Sequence, residues 1–154
     1  MPRRDPERQV SVPSGKRKPS SVEFDNSYYR VHDDVCDMVA NGFYAPADVR
    51  EREAWYIARQ GDEMLGLTFR LLCHIKVANS IYPTCRSELE ERRINQDRAI
   101  GVCYTLLAHY QMAMHRPRVP DDKHTDEVER LLKEISSLKA WRTSDARFRR
   151  QFPA

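Results

Sequence analysis

The chain has 154 residues, of which 40% are hydrophobic, 32% charged and 9% aromatic. This length is typical of one domain with its own core, and the apolar content argues against a disordered chain. No apolar run approaches the roughly 20 residues of a membrane span, and the first residues lack the apolar stretch of a secretion signal. We therefore expect a cytoplasmic protein that does not contact a membrane.

The net charge of +3 is distributed unevenly along the chain. Residues 1–20 carry +4 and residues 139–154 carry another +4, whereas residues 21–138 carry −5. A mildly acidic body with two basic ends predicts that any contact with a polyanion begins at the ends. The four cysteines form no closely spaced pair, so we expect reduced thiols and no zinc site.

The first 19 residues are rich in Pro, Ser, Arg and Lys and show no apolar period, which predicts a disordered basic arm over 1–19. A folded domain is predicted over 20–145. Its first helix is expected at about 21–41, ending at Asn41-Gly42. Steps of three and four place its apolar side chains on one face: Phe24, Tyr28, Val31, Val35 and Met38.

A second helix is predicted at 47–79, with two internal glycines, Gly61 and Gly66, that mark a kink or a close helix crossing. Its predicted apolar stripe consists of Trp55, Met64, Leu65, Phe69, Leu72 and Ile75. Pro83 prevents simple continuation, and Thr84 is a suitable cap for the next helix.

A third helix is predicted at 85–115, and its length of about 46 Å favours packing against other long helices. Its predicted seam repeats every three or four residues: Leu89, Arg93, Gln96, Ile100, Cys103, Leu107, Tyr110 and Met114. A fourth helix is predicted at 122–145, with Val128, Leu131, Ile135, Leu138 and Arg142 on one face. Because no segment has a strand pattern, we predict an all-α, up-down-up-down four-helix bundle, followed by a basic and aromatic tail at 146–154.

Motifs that would indicate an enzyme are missing from the sequence. It contains no glycine-rich phosphate loop, no HExxH and no nucleophile elbow. A carboxylate-bridged metal pair in a bundle uses Glu-x-x-His, which is also missing. We therefore expect no catalytic residues, no metal and no cofactor.

Two polar residues, Arg93 and Gln96, occupy the predicted seam of the third helix. They fit a solvated end of the bundle, a subunit interface or a polar channel. Long polar side chains on a seam can specify partner and register. We favour a role at an oligomer interface because the surrounding stretch 88–98 is so highly charged.

Basic residues with aromatic neighbours lie at both ends of the chain. Arg and Lys neutralise phosphates, and aromatic rings stack on unpaired bases. The candidate nucleic-acid-binding residues at the ends are Lys16, Arg17, Lys18, Arg147, Arg149 and Arg150, the last three beside Phe148 and Phe152. Candidates on the body are Arg70, Lys76, Arg86, Arg92 and Arg98, although each has acidic neighbours. The same basic ends also fit a purely solubilising role.

Several stretches resemble a family of small bacterial four-helix-bundle proteins encoded beside reverse transcriptases, the accessory variability determinants of diversity-generating retroelements. The resemblance covers about 16–145. It is carried by the stretches 16–24 (KRKPSSVEF), 78–84 (ANSIYPT), 89–93 (LEERR), 96–101 (QDRAIG) and 138–145 (LKAWRTSD).

This resemblance implies a non-enzymatic accessory subunit. Such proteins assemble as homopentamers, bind the reverse transcriptase and its template RNA, and support the error-prone cDNA synthesis of mutagenic retrohoming. The net acidic body departs from the basic exterior typical of the family, which places more of the expected RNA contact on the arm and tail. The wider family also includes bundle proteins encoded in ribosomal RNA intervening sequences, for which a protein-interaction role without nucleic-acid contact is the alternative.

Overall fold

The computed structural model describes residues 21–152, with side chains from Ser27 onward. The predicted all-helical class is confirmed, since no strand occurs within these residues. The helices are α1 (Ser21–Ala40), α2 (Ala47–Arg52), α3 (Ala54–Ser80), α4 (Arg86–His115), α5 (Thr125–Ser144) and α6 (Ala146–Gln151). The predicted arm 1–19, which includes Lys16, Arg17 and Lys18, lies outside the described residues, as does the side chain of Phe24.

The four long helices surround one core. Helix α1 packs against α3 and α5, and α4 packs against the same two helices. The side chains between them form one apolar cluster to which every long helix contributes. A bilayer-spanning segment is not found among the helices of residues 21–152, because none combines sufficient length with a sufficiently apolar composition.

The chain reverses after α1 in a tight, left-handed segment. Gly42, Phe43 and Tyr44 all have positive φ, at 56°, 59° and 57°. Left-handed backbone is costly for residues with a side chain, so the surrounding structure must hold it. Phe43 is fully buried, and its burial anchors the reversal.

The predicted second helix is two helices in the structure. The helical backbone is interrupted at Glu53, which separates α2 from α3. Gly61 lies at a close helix crossing, since a Cβ atom there would lie 3.0 Å from a Val39 methyl. Gly66 has open space around it, so only the first of these glycines marks a crossing.

The predicted stripe of α3 is partly wrong. Met64 and Ile75 are buried as expected, but Trp55 and Phe69 are 64% and 56% exposed. The side of α3 that faces the core includes small and polar residues as well as apolar ones. Its buried residues are Ile57, Gln60, Gly61, Met64, Leu67, Thr68, Leu71, Ile75 and Ala78.

The predicted seam of α4 is confirmed in part, because Leu89, Gln96, Ile100, Cys103 and Tyr110 are buried as predicted. Arg93 and Met114 are exposed, and Leu107 is only partly buried. The buried residues of the helix are Leu89, Arg92, Asn95, Gln96, Ala99, Ile100, Cys103, Leu106, Tyr110 and Ala113. Steps of three and four connect Arg92, Gln96, Ala99, Cys103, Leu106, Tyr110 and Ala113, so the seam keeps the predicted spacing but starts from a charged residue.

The inward row of α5 also contains ionisable residues and continues into α6. Leu131, Ile135 and Leu138 are buried as predicted, whereas Arg142 is only partly buried. A row spaced by three and four residues is buried throughout: His124, Glu127, Leu131, Glu134, Leu138, Trp141, Asp145 and Phe148. The burial of Phe148 shows that part of the predicted tail packs against the bundle.

Candidate nucleic-acid interface

The basic tail forms a short helix that displays its arginines at one end of the bundle. Arg147, Arg149 and Arg150 are exposed on α6, which contains no acidic residue. Between them Phe148 is 2% exposed and therefore cannot stack on a base, contrary to the sequence expectation. The ring of Tyr82, which is 66% exposed, meets Phe148 edge-on with the two centroids 5.5 Å apart. The exposed aromatic group at this end is thus Tyr82.

A buried ion pair attaches α6 to the bundle. Arg92 Nε donates to Asp145 Oδ2 at 2.7 Å, and Arg92 Nη2 donates to Asp145 Oδ1 at 3.2 Å. Gln96 Nε2 donates to the same Asp145 Oδ2 at 2.8 Å. These three residues, here called the Arg92 cluster, all belong to the buried set. Because Asp145 connects α5 to α6, the cluster fixes the start of the arginine-bearing helix.

The remaining contacts of Arg92 join this attachment to the end of α3. Arg92 Nη1 donates to the carbonyl oxygens of Ala78, at 3.2 Å, and Ile81, at 2.9 Å. Its guanidinium also lies 5.2 Å from the Trp141 ring centroid and 5.7 Å from that of Phe148. A planar guanidinium suits this combination of forked hydrogen bonding and aromatic stacking, which a lysine could not reproduce.

This geometry corrects two of the sequence predictions. Arg92 is 7% exposed and bound on every side, so it is not available to a phosphate. Gln96 is fully buried within the chain, which contradicts a role at an oligomer interface. Arg93 points outward and is exposed, so an interface role for it stays a prediction.

The other predicted basic residues of the body lie on α3 and α4 and not on the helix that carries the tail arginines. Arg70, Lys76, Arg86 and Arg98 are all exposed. Arg86 is paired with Glu90, with 3.1 Å between Arg86 Nε and Glu90 Oε1. Both side chains of this ion pair are exposed to solvent, so the pair is weak. Glu90 therefore competes only weakly with a phosphate for Arg86.

Sequence analysis missed two contributors to this end of the molecule, Tyr82 and Asp145. The signal for Asp145 was present, because it continues the seven-residue spacing of Leu131 and Leu138. Asp145 was nevertheless not predicted to be buried, because a core position is expected to be apolar and Asp145 is acidic. No local pattern identified Tyr82, which follows the end of α3.

A second polar cluster lies inside the bundle toward its opposite end. Asp34 accepts two hydrogen bonds from Arg130, at 2.7 and 2.8 Å. His124 is buried between the rings of Tyr44 and Tyr110, with centroids 5.8 and 5.5 Å away, and its Nδ1 lies 3.7 Å from Glu127 Oε2. Burial, assisted by the nearby Glu127 carboxylate, raises the pKa of both tyrosines, which keeps them neutral.

Glu134 is a buried acid in the middle of the same inward row. Its side chain is 1% exposed, and among the described side chains neither carboxylate oxygen has a partner at hydrogen-bond distance. Burial raises the pKa of Glu134 to about 7, against a smaller lowering by the nearby Ser27 hydroxyl. Burial, with a smaller contribution from the Glu134 charge, raises the pKa of the Cys103 thiol. Among residues 27–152, no three His, Cys, Asp or Glu side chains lie together as a metal ion would require.

Comparison with known proteins gives no match to a family model, to a characterised protein or to a solved structure. The functional interpretation therefore depends on the residues themselves and on the resemblance described above.

Replacing Asp145 by Ala should destabilise the protein strongly. The substitution leaves the Arg92 charge buried without its partner, which typically costs about 3–5 kcal/mol. Chemical denaturation measures this loss. Asp97→Ala is the matched control, because Asp97 pairs with Arg142 at the surface, where such pairs contribute about 1 kcal/mol or less. Equal losses in the two variants would contradict the importance of the Arg92 cluster.

Replacing Glu134 by Gln should remove a pH dependence of stability. Because the folded-state pKa is raised from 4.5 to about 7, the neutral acid favours folding at low pH, and this contribution is lost as the pH rises through about 7. At about pH 8 the amide should stabilise the protein relative to the native chain by up to about 3 kcal/mol. Unfolding free energies across this range measure the effect.

The exposed Glu129 provides the control for this experiment. Glu129→Gln changes the net charge equally without altering a buried group. If Glu134→Gln and Glu129→Gln gave the same pH profile, Glu134 would not be the source of the dependence.

Proposed function

We propose that this protein is a non-enzymatic accessory subunit that binds a reverse transcriptase and its template RNA. In this role it supports error-prone cDNA synthesis in a diversity-generating retroelement. The observation that carries the proposal is the display of Arg147, Arg149 and Arg150 on a helix anchored by the buried Phe148 and Asp145. The family resemblance over 16–145 supports the same assignment.

In this mechanism the arginines of α6 contact phosphates without reading sequence. Contacts between arginine and the nucleic-acid backbone supply affinity and orientation, while specificity must come from elsewhere. Tyr82 offers an exposed ring on which an unpaired base can stack. The basic segment Lys16, Arg17 and Lys18 would add further phosphate contacts from the other end of the chain.

The same proposal includes an up-down-up-down arrangement of the four long helices and assembly into a homo-oligomer, a pentamer by resemblance. The neighbour relations of α1, α3, α4 and α5 support this arrangement. Arg93 and the adjacent Ile94, which is 48% exposed, present a mixed charged and apolar surface on α4 that suits a subunit contact. Other exposed surfaces of the four long helices would contact the reverse transcriptase.

A protein-interaction bundle without nucleic-acid contact is the second candidate. The −5 charge of residues 21–138 favours it, because an acidic body repels phosphate. Several large apolar side chains exposed on the long helices also suit a protein partner: Tyr29, Phe69, Val77, Ile94, Tyr104, Met112, Met114 and Leu132. The two candidates differ in whether the basic residues matter for binding.

Changing Arg147, Arg149 and Arg150 together to Gln should weaken RNA binding. Each phosphate contact to a single strand contributes about 0.7 to the slope of log affinity against log salt, so the slope should fall by about 2. A salt titration with the template RNA measures it. Arg59→Gln is the control, because Arg59 is exposed on α3 away from α6. An unchanged slope in the triple variant would favour the interaction-only candidate.

The assembly can be tested separately. We expect light scattering to give a mass several times that of the 18.1 kDa protomer, and Arg93→Glu to reduce it by introducing a like charge beside the acidic residues of stretch 88–98. Arg59→Glu, at an exposed position of α3, serves as the charge-matched control. A monomeric native protein that fails to copurify with the polymerase would oppose the accessory-subunit role.

A further inference from the structure

A second basic and aromatic site lies at the end of the bundle opposite α6. A cleft of about 350 Å³ is lined by Arg52, Glu53, His115, Arg116, Pro117 and Arg118. Trp55 and Tyr56, at the start of α3, lie next to the cleft because both rings contact Arg116, which lines it. These eight residues are called the Trp55 cleft below. Since α3 has 27 residues, the cleft lies about 40 Å from Tyr82 and α6.

Arg116 is held in place by aromatic and acidic contacts. Its guanidinium lies 5.2 Å from the Trp55 ring centroid and 4.8 Å from that of Tyr56, and its Nη2 donates to Glu53 Oε2 at 3.1 Å. The Glu53 carboxylate, the one acid among the described residues that line the cleft, is thus already paired. Arg52 and Arg118 are both exposed, so two further arginines face the cleft without a described ion pair.

The aromatic part of the site is open to solvent. Trp55 is 64% exposed although Arg116 lies over its ring. Tyr56 meets Trp55 edge-on, with the centroids 5.7 Å apart, which fixes the plane of the indole. A large, rigid and exposed aromatic surface beside several cations fits a nucleotide, whose base stacks while its phosphate meets arginine.

The backbone of Arg118 is held in an unfavourable conformation. Its φ is +72°, in the left-handed region that residues with a side chain rarely adopt. The amides of both Arg118 and Val119 donate to the Ala113 carbonyl, at 3.0 and 2.9 Å, and so hold this segment against the end of α4. Backbone strain of this kind is concentrated at binding sites, where it positions a side chain. Here it positions a cation at the cleft.

We infer that the Trp55 cleft binds single-stranded RNA, with a phosphate between Arg52 and Arg118 and a base on the exposed indole of Trp55. This inference rests on the proposed RNA-binding function and adds a contact on the folded body. A cleft of this volume is of the size that holds small ligands, about 300–1,000 Å³, and so accommodates one nucleotide of a longer strand.

The test uses the full-length protein and an oligouridylate of about ten nucleotides, within the site size of single-strand binders. Trp55→Leu should lower the affinity about 5- to 100-fold, because one stacked base is lost. Binding should also quench the fluorescence of the native protein, and this quenching should disappear in Trp55→Leu. Phe69→Leu is the matched control, since Phe69 is an exposed aromatic residue on α3 outside the cleft.

Arg118→Gly tests the phosphate contact and separates binding from stability. Glycine adopts positive φ without penalty, so the variant should be at least as stable as the native protein. It should nevertheless lose about 0.7 from the salt slope of binding, whereas Arg59→Gln should leave the slope unchanged. Both stability and binding must be measured on the same sample.

The possible outcomes distinguish this inference from the proposed function. If the triple α6 variant loses affinity while Trp55→Leu and Arg118→Gly bind normally, the cleft inference is wrong and the proposed function stands. If the native protein binds no single-stranded RNA at low salt, the RNA-binding function itself is wrong. Equal binding of a duplex RNA or of a polyglutamate peptide would overturn base stacking at Trp55 and leave only a general anion site.

Discussion

The buried pairing of Arg92 with Asp145 is the constraint on which the arrangement of this end of the molecule depends. A charged guanidinium is stable inside a protein only when its donors are matched, and here Asp145 and two main-chain carbonyl groups accept from it. The acceptors come from the end of α3 and the junction of α5 with α6. One side chain of α4 therefore determines how these elements meet.

This constraint makes the arginine-bearing end part of the folded domain. A free basic tail would contact a polyanion with a large loss of conformational freedom. A helix that is packed against the bundle through Phe148 and Asp145 has lost this conformational freedom already during folding, so it does not lose it again on binding. In the proposed function, the arginines that would contact phosphate are then presented in a fixed direction, and the bundle would contribute to binding by preorganisation.

The helical architecture could be predicted from sequence because apolar spacing, caps and prolines are local signals. The faces of α1 and the apolar part of α5 followed directly from steps of three and four. The face of α4 followed only in part, because its seam also carries Arg92 and Asn95, which a reading of apolar periodicity treats as outward-facing. The partner that makes Arg92 acceptable lies 53 residues away, and no local pattern connects the two. The basic end segment was identified by composition, but the Trp55 cleft unites two chain segments, 52–56 and 115–118, that only the fold brings together.

In the proposed function, the length of α3 has a consequence for how RNA would lie on the protein. Tyr82 follows the end of this helix, and Trp55 lies at its beginning, so the two exposed rings are separated by a rigid rod of about 40 Å. A strand that engages both must be drawn out along the rod, and a transcript too short to do so can occupy only one end at a time. The bundle would then select for long, unpaired stretches of template and would hold them extended, which prevents them from pairing with themselves.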